Sequence, residues 1–484
     1  MTAVRTGEEG SVTRTPTRPR GPGAATADDG SPTPVGDRIE AFAELARARG
    51  RGEMVLLPRM LTGHDRRIHV RQTVREDHEN RIVTGAADAA AKFQVMADSL
   101  FAFFRGSCLL FYRDLAGEDA WMPTVLTLGD VHPDNFGVMP NADDVPVFGV
   151  NDFDEAFYAP FTWDLKRGAV GFLLGVADGG YGPKTQRRTV RAFLAGYLDA
   201  MDRYAGELDE TAGQMGLADA PPLVAAVLQE SAARSRARWL RKKYLDESGR
   251  GFASSARLEP VTHRVPEFQA LVQRYVEVNR LTPPARAGAM RVKDVCLRHG
   301  QGVASLGLQR YYVLIEGPAG DATDDVVLEF KQARRSALRG LVPPSEFELI
   351  GEADRVAHAQ RVQLVGGDAF FGSVDAEGVS FMVRERSPYK NDVDLAGLSK
   401  ADWSDYAGIC GAVLAHAHAL SDEAGLVDHD VEPDVIAAVG PRELFVDDVL
   451  RFALEARDRV QADHEHFRAD HAMRAFEQVD RWYR

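Results

Sequence analysis

The chain has 484 residues, 45% of them hydrophobic and 27% charged, which suits one large globular body or a few fused lobes and excludes a disulfide-stapled miniature. Lys plus Arg total 58 against 72 Asp plus Glu, a net charge of -14 that disfavours a surface built throughout to neutralise a nucleic-acid backbone and leaves only local basic clusters open. Three isolated cysteines, Cys108, Cys296 and Cys410, exclude a disulfide framework or a Cys-x-x-Cys motif and suit a reducing compartment. The opening MTAVRTGEEG lacks the cationic-then-apolar order of a secretory leader, and no run approaches the roughly 18 apolar residues of a membrane span. The expectation is a cytoplasmic protein with no membrane partner.

Residues 1–36 are rich in Thr, Pro, Gly and Ser with little to bury, and read as a disordered tail. From Ile39 the apolar spacing turns helical, and a run from Lys92 to Phe104 sets Phe93, Met96, Leu100 and Phe104 on one face before Phe104-Arg105-Gly106. Trp121 to Leu128 and Val145 to Val150 read as adjacent strands. Val190 to Tyr204 is an amphipathic helix. Helices broken by prolines follow to about residue 290, including the basic run Arg234, Arg236, Arg238, Arg241, Lys242 and Lys243, read as a solvated face with an acidic partner as the lesser alternative. From Asp294 to Leu395 the pattern is β-rich, with strands at Gln309 to Glu316, Val326 to Phe330 and Val379 to Arg386 and a helix near Ser345 to Leu364. Ser399 and Asp402 have capping-box spacing before a helix whose buried face carries Tyr406, Cys410, Val413 and Leu420. A charged helical segment follows Pro441. The fold class is α+β, divided into a tail (1–36), a mainly helical catalytic lobe (37–290), a β-rich nucleotide-binding lobe (291–395) and C-terminal helices completing the first lobe (396–484).

Two loops carry the chemistry. Leu128-Gly-Asp-Val-His-Pro-Asp-Asn135 places a carboxylate, an imidazole and a carboxamide directly after an apolar strand, and Asn151-Asp-Phe-Asp-Glu155 ends another. Oxygens converging from two strand ends suit a hard divalent cation such as magnesium, while a carboxylate off the metal can take a proton from an attacking hydroxyl. A catalytic Asp followed five residues later by a metal-binding Asn is a phosphotransferase spacing, and Asp130 with Asn135 fits it. Each residue alone is an ordinary turn former; the clustering favours a site. His132 reads equally as a loop-holding histidine or a chemical group.

Gly129-Asp-x-His-Pro-x-Asn135 resembles the catalytic loop of aminoglycoside and choline phosphotransferases in the protein-kinase-like superfamily, and Asn151-Asp-Phe-Asp resembles its magnesium segment. The resemblance implies that Asp152, with Asp154, holds metal beside Asn135. It also implies that Asp164 of Pro160-x-x-Trp-Asp-Leu-Lys-Arg167 braces the catalytic loop, with Trp163 and Arg105 as further support. The whole string resembles still more closely the uncharacterised bacterial family catalogued as domain of unknown function 2252, over about residues 55 to 425.

Gly300-Gln-Gly-Val-Ala-Ser-Leu-Gly307 could cradle phosphate through Gly300, Gly302, Ser305 and Gly307, or could simply be a hairpin turn. In Val326-Val-Leu-Glu-Phe-Lys331, alternation sends Val326, Leu328 and Phe330 to one face and Lys331 to the other. Lys331 is either a solvated lysine or a phosphate-binding one; in the second case it needs an acidic partner, for which Glu352 is favoured over Glu346 and Glu348. In family 2252 a Glu usually follows this lysine, whereas Gln332 stands here. Residues 381–391 read as a hinge between lobes. A kinase-like chain places glycine loop and lysine before the catalytic loop; here they come after, so a circular permutation of the two-lobed fold is expected, with the helix at 402–420 packed beside the catalytic loop. The function expected is an ATP- and magnesium-dependent phosphotransferase with an unidentified, small polar acceptor. The alternatives are a metal-dependent phosphohydrolase using Asp130, His132, Asp152 and Asp154, and a nucleotide-binding, pseudokinase-like regulator.

Overall fold

The structure, a computed structural model, describes residues 38–477 except 85, 207–208, 301–307 and 344–350. The expected tail lies outside these residues, as do Gly302, Ser305, Gly307, Glu346 and Glu348. The described chain is mixed helix and strand, as expected of an α+β protein.

Six helices come first: α1 (Arg38–Gly50), α2 (Gly63–Asp77), α3 (Glu79–Thr84), α4 (Ala86–Asp98), α5 (Leu100–Gly106) and α6 (Cys108–Leu115). The single helix expected over 92–104 is thus two. Ser99 interrupts it, its hydroxyl accepting from the Ala102 amide as the N-cap of α5. Four short strands follow, β1 (Thr124–Thr127), β2 (Phe136–Pro140), β3 (Pro146–Val150) and β4 (Phe157–Pro160). The strands before the two acidic loops are not neighbours in one sheet: β1 pairs antiparallel with β4, and β2 with β3. The chain leaves β1, crosses to a β2–β3 hairpin and returns to β4, so both crossings lie side by side. Gly129 permits this. Its φ is +80°, and a Cβ there would collide with the carbonyl oxygen of Glu155.

Behind the crossings stand α7 (Phe161–Asp178) and α8 (Pro183–Tyr204); α9 (Pro222–Ala232), α10 (Arg236–Lys243) and α11 (Val265–Val278) follow in the chain. A six-stranded antiparallel sheet is built from β5 (Leu258–Pro260), β6 (Val292–Arg298), β7 (Arg310–Ile315), β8 (Val326–Gln332), β9 (Gly372–Ala376) and β10 (Val379–Glu385), in the order β5-β6-β7-β8-β10-β9. Because β5 and α11 belong with this sheet, a boundary at residue 291 cuts through it. Alternation holds in β8: Val326, Leu328 and Phe330 pack beneath α11 with Phe268 and Tyr275, while Val327 faces Leu240 and Tyr312. Between β8 and β9 runs α12 (Glu352–Gln363), which packs against both the sheet and α13. After β10, residues 386–390 lead straight to β11 (Asn391–Asp392), which pairs with β2 on the side away from β3.

The C-terminal helices are α13 (Lys400–Glu423), α14 (Val431–Val439) and α15 (Arg442–Ala472). The expected capping box starts α13: the Ser399 hydroxyl accepts from the Asp402 amide and the Asp402 carboxylate accepts from that of Ser399. Alongside α8, α13 approaches so closely that a Cβ on Gly411 would meet the Phe193 carbonyl oxygen. The last helix, α15, is tied to α2 and α6 through buried Arg66, which donates to Asp114 at 2.7 and 2.8 Å and to Asp463 at 2.8 and 2.5 Å. Among the described residues no helix is long and apolar enough to cross a membrane.

The basic run is only partly a solvated face. Arg236 is paired with Asp144 at 2.8 Å and Glu385 at 2.6 Å, and Arg234 donates to the Lys390 carbonyl at 2.8 Å. These contacts brace the β2–β3 turn against the end of β10. Arg238, Arg241, Lys242 and Lys243 are exposed.

Candidate functional site

The loop 128–135 is fixed from below before any of its side chains act. Asp164, fully buried in the first turn of α7, accepts from the Leu128 amide at 2.6 Å and the Gly129 amide at 2.9 Å. His418 of α13 reaches the same carboxylate at 3.1 Å and hydrogen-bonds Tyr197 of α8 at 2.9 Å through its other ring nitrogen. Three helices therefore set the loop's height. Trp163 stacks on Tyr112 at 5.3 Å and donates to the Glu118 carbonyl at 3.2 Å, holding the start of α7.

Asp130 is partly exposed, with one oxygen, Oδ1, gripped by Arg167 Nε at 2.8 Å and Nη2 at 2.6 Å. Arg167 is buried beneath it, its guanidinium 3.9 Å from the Phe104 ring. Burial raises the Asp130 carboxyl above its ordinary value, and the Arg167 charge opposes that rise. His132 is spent on the loop: its Nδ1 accepts from the Asp134 amide at 3.2 Å, and its Nε2 lies 3.7 Å from Asp130. Burial, then Arg105 and Arg167, hold this imidazole well below its ordinary pKa, so it is neutral. Arg105 supports the loop one step removed, donating to Asp134 at 2.6 Å. Asn135 donates from Nδ2 to the Asp130 carbonyl at 2.7 Å; among the described residues its Oδ1 has no hydrogen-bond partner and is the atom open to a ligand.

The second crossing meets the first where the Asn151 amide donates to the Asn135 carbonyl at 3.1 Å. Asp152 accepts from the Asp154 amide at 3.3 Å. Asp154 forms an ion pair with Lys331, which is buried rather than solvent-facing. Burial pushes the Asp154 carboxyl up, but Lys331, with Arg334 and Arg384, holds it down at about 2. Glu155 next door is bound by Arg334, which also meets Asp77 at 3.0 Å.

Glu352 is not the partner of Lys331. It stands at the first residue of α12 and turns outward to Arg339 at 2.7 Å and Arg355 at 3.2 Å. What α12 presents to the loop is Arg355, which donates to the Ala156 carbonyl at 2.7 Å and those of Asp154 and Arg334 at 2.9 Å. Gln332 hydrogen-bonds the Gln309 backbone, securing β7 to β8. Gly300, at φ +60°, opens the β6–β7 connection.

Sequence reasoning assigned no role to Arg167, Arg334, Arg355 or His418. Arg167 carried a usable signal, lying three residues after Asp164 on one helical face. The other three come from segments far along the chain and had none.

No curated protein and no solved structure matches the chain. One family model matches residues 86–470 and carries the description "Uncharacterized protein conserved in bacteria (DUF2252)". The match takes in both crossings, the six-stranded sheet, α13, α14 and nearly all of α15, and so runs further towards the C-terminus than the resemblance read from the motifs. Covering far more than half of the sequence, it places this chain in the bacterial family DUF2252.

Proposed function

We propose that the protein is an ATP- and magnesium-dependent phosphotransferase with a circularly permuted, kinase-like arrangement. The observation that carries this reading is the contact between Lys331 and Asp154, 177 residues apart in sequence. It brings the lysine of the sheet to the acidic loops. The order of elements supports it further. A glycine-rich connection joins β6 to β7, the lysine lies on the next strand, and a helix follows, which is the sequence of parts a kinase uses around nucleotide phosphates. The helix that would precede the catalytic loop in an unpermuted chain corresponds to α13, whose Tyr406 hydroxyl donates to the Pro133 carbonyl at 2.7 Å.

The donor set suits the cofactors. Asn135 Oδ1 and the Asp152 carboxylate are hard oxygen ligands for magnesium, and Lys331 is a cation within reach of phosphate once Asp154 releases it. When bound, magnesium and ATP would supply an electrophilic phosphoryl group. Asp130 would then orient the acceptor hydroxyl and take its proton at the oxygen not gripped by Arg167. Arg167 fixes the carboxylate's direction, and burial raises its basicity. The cationic groups around the cleft would stabilise the transferring charge. The phosphohydrolase alternative draws less support, because His132 is committed to a backbone amide.

The test is nucleotide binding followed by calorimetry with magnesium present. Lys331→Met paired with Asp154→Asn removes both buried charges together, so the fold is kept, and it should weaken ATP binding at least about tenfold, the loss of one charge-assisted contact. Unchanged affinity would overturn the reading. Asp130→Asn should bind ATP as before and lose turnover.

A further inference from the structure

Three carboxylates outside the two crossings remain unexplained by the reading above. Asp422 closes α13, Asp430 immediately precedes α14, and Glu432 lies in its first turn; one oxygen of each falls within 4.8 Å of the others. Among the described residues none of the three has a Lys, Arg or His partner. Like charges this close repel, and a cation between them would offset the repulsion.

Helix capping does not account for the cluster. Acidic residues are common at helix N-termini because the backbone amides there favour negative charge, yet Asp430 makes no side-chain cap hydrogen bond. Asp422 contributes only Oδ2 to that helix end, accepting from the Val431 amide at 2.7 Å. A second, independent feature is Glu432 itself. It is 5% exposed, and among the described residues its Oε1 is buried without a hydrogen-bond partner; Asp422 Oδ1 is likewise unpaired. A buried carboxylate oxygen with no donor is costly. All three residues line one recess, together with Tyr204 of α8.

We propose that Asp422, Asp430 and Glu432 form a binding site for a calcium-class divalent cation that clamps the end of α13 to the start of α14. The donors are all oxygen, which selects a hard cation. His429 lines the same recess but is engaged elsewhere, bonding the Thr124 carbonyl at 2.8 Å through Nε2 with Nδ1 3.1 Å from Asp434. Oxygens that all lie within 4.8 Å of one another can reach one central ion together, and calcium's flexible all-oxygen coordination, unlike magnesium's near-ideal octahedron, tolerates such an irregular carboxylate set. The clamp would act on the segment that supports the first crossing. Ser421, the residue before Asp422, accepts from the Leu126 amide of β1 at 2.9 Å, and His418 one turn earlier holds Asp164. The cation would thus be structural and separate from any metal bound by Asn135 and Asp152.

Terbium and calcium, added to the full chain, test the proposal. Tyr204 should sensitise terbium luminescence, calcium should reverse the signal, and calcium alone should raise the melting temperature. Asp430→Asn, at an exposed position, should fold normally and weaken both responses at least about tenfold, as expected for losing one charged ligand. Glu432→Gln should lose them too while keeping or raising the metal-free melting temperature. Asp152→Asn should leave both intact. No calcium response by about 1 mM, the weak end of protein calcium sites, overturns the proposal. So does a response that Asp152→Asn abolishes and Asp430→Asn does not.

Discussion

Lys331 and Asp154 are both largely removed from water, and neither charge would remain so without the other, since the loss of one partner strands the second in a low-dielectric site. The pair gives the molecule a defined acid sensitivity. Asp154 titrates at about 2 in the folded protein, below the roughly 3.9 of an unfolded aspartate. A depressed carboxyl adds stability that is complete above the unfolded value and is lost as pH falls through the folded one. The stability difference between the native protein and Asp154→Asn should therefore be constant above about pH 5 and shrink between about pH 4 and pH 2. Urea unfolding at a series of pH values measures it, and a gap that does not narrow would show that the pair contributes no folding energy. Asp130 lies on the other side of its ordinary value because its burial outweighs the help from Arg167. Two carboxylates on the two crossings, with the β2–β3 hairpin between them in the chain, are thereby pushed in opposite directions, one raised and one lowered, the separation that acid–base and electrostatic roles require.

At the scale of elements, the sequence was most readable where the signal is local. The period of Val190 to Tyr204, the alternation of Val326 to Phe330 and the Ser399–Asp402 box each depend on neighbours a few residues away, and each appears in the structure. Strand pairing is different. That β1 meets β4 while β2 meets β3 depends on contacts across tens of residues, and the apolar patterns of 121–128 and 145–150 suit any partner. The same reason hides the partner of Lys331: the local pattern points to a helical Glu, whereas the carboxylate arrives from 177 residues upstream. The crossing of α8 and α13 is a further non-local feature. Gly411 lies against the Phe193 carbonyl, and α13 carries the His418 and Tyr406 contacts to the first loop. Gly411→Ala should force the helices apart, costing about 1–3 kcal/mol as overpacking does. A shift of the denaturation midpoint towards lower urea would register it, and an unchanged midpoint would mean the helices yield without cost.

At the scale of the whole molecule, arginines reinforce the apolar packing that joins the six-stranded sheet to the crossings. Arg334 and Arg355 tie the segments beyond β8 to the second crossing, while Arg236 and Arg286 join the ends of the β2–β3 hairpin and β10 through Glu385 and Asp144. Charged and hydrogen-bonded contacts of this kind fix direction more than they add stability, so a polar frame aims the lysine-bearing strand at the loops, while the apolar core that reaches from the crossings into α12 and Met382 of β10 holds the parts together. A ligand spanning the cleft must then register on both sides at once. With ATP and magnesium, amide hydrogen exchange should slow both in residues 130–156 and in residues 326–332, although these stretches are nowhere adjacent in sequence. The two protections should share one ATP concentration midpoint, because a single occupant produces both. Protection confined to the loops would leave a metal or phosphate site with no part for Lys331; protection confined to the sheet would leave Asp130, Asn135 and Asp152 without a substrate. Either result would separate the two halves of the cleft and remove the phosphotransferase reading, whereas coincident protection would identify them as one binding surface.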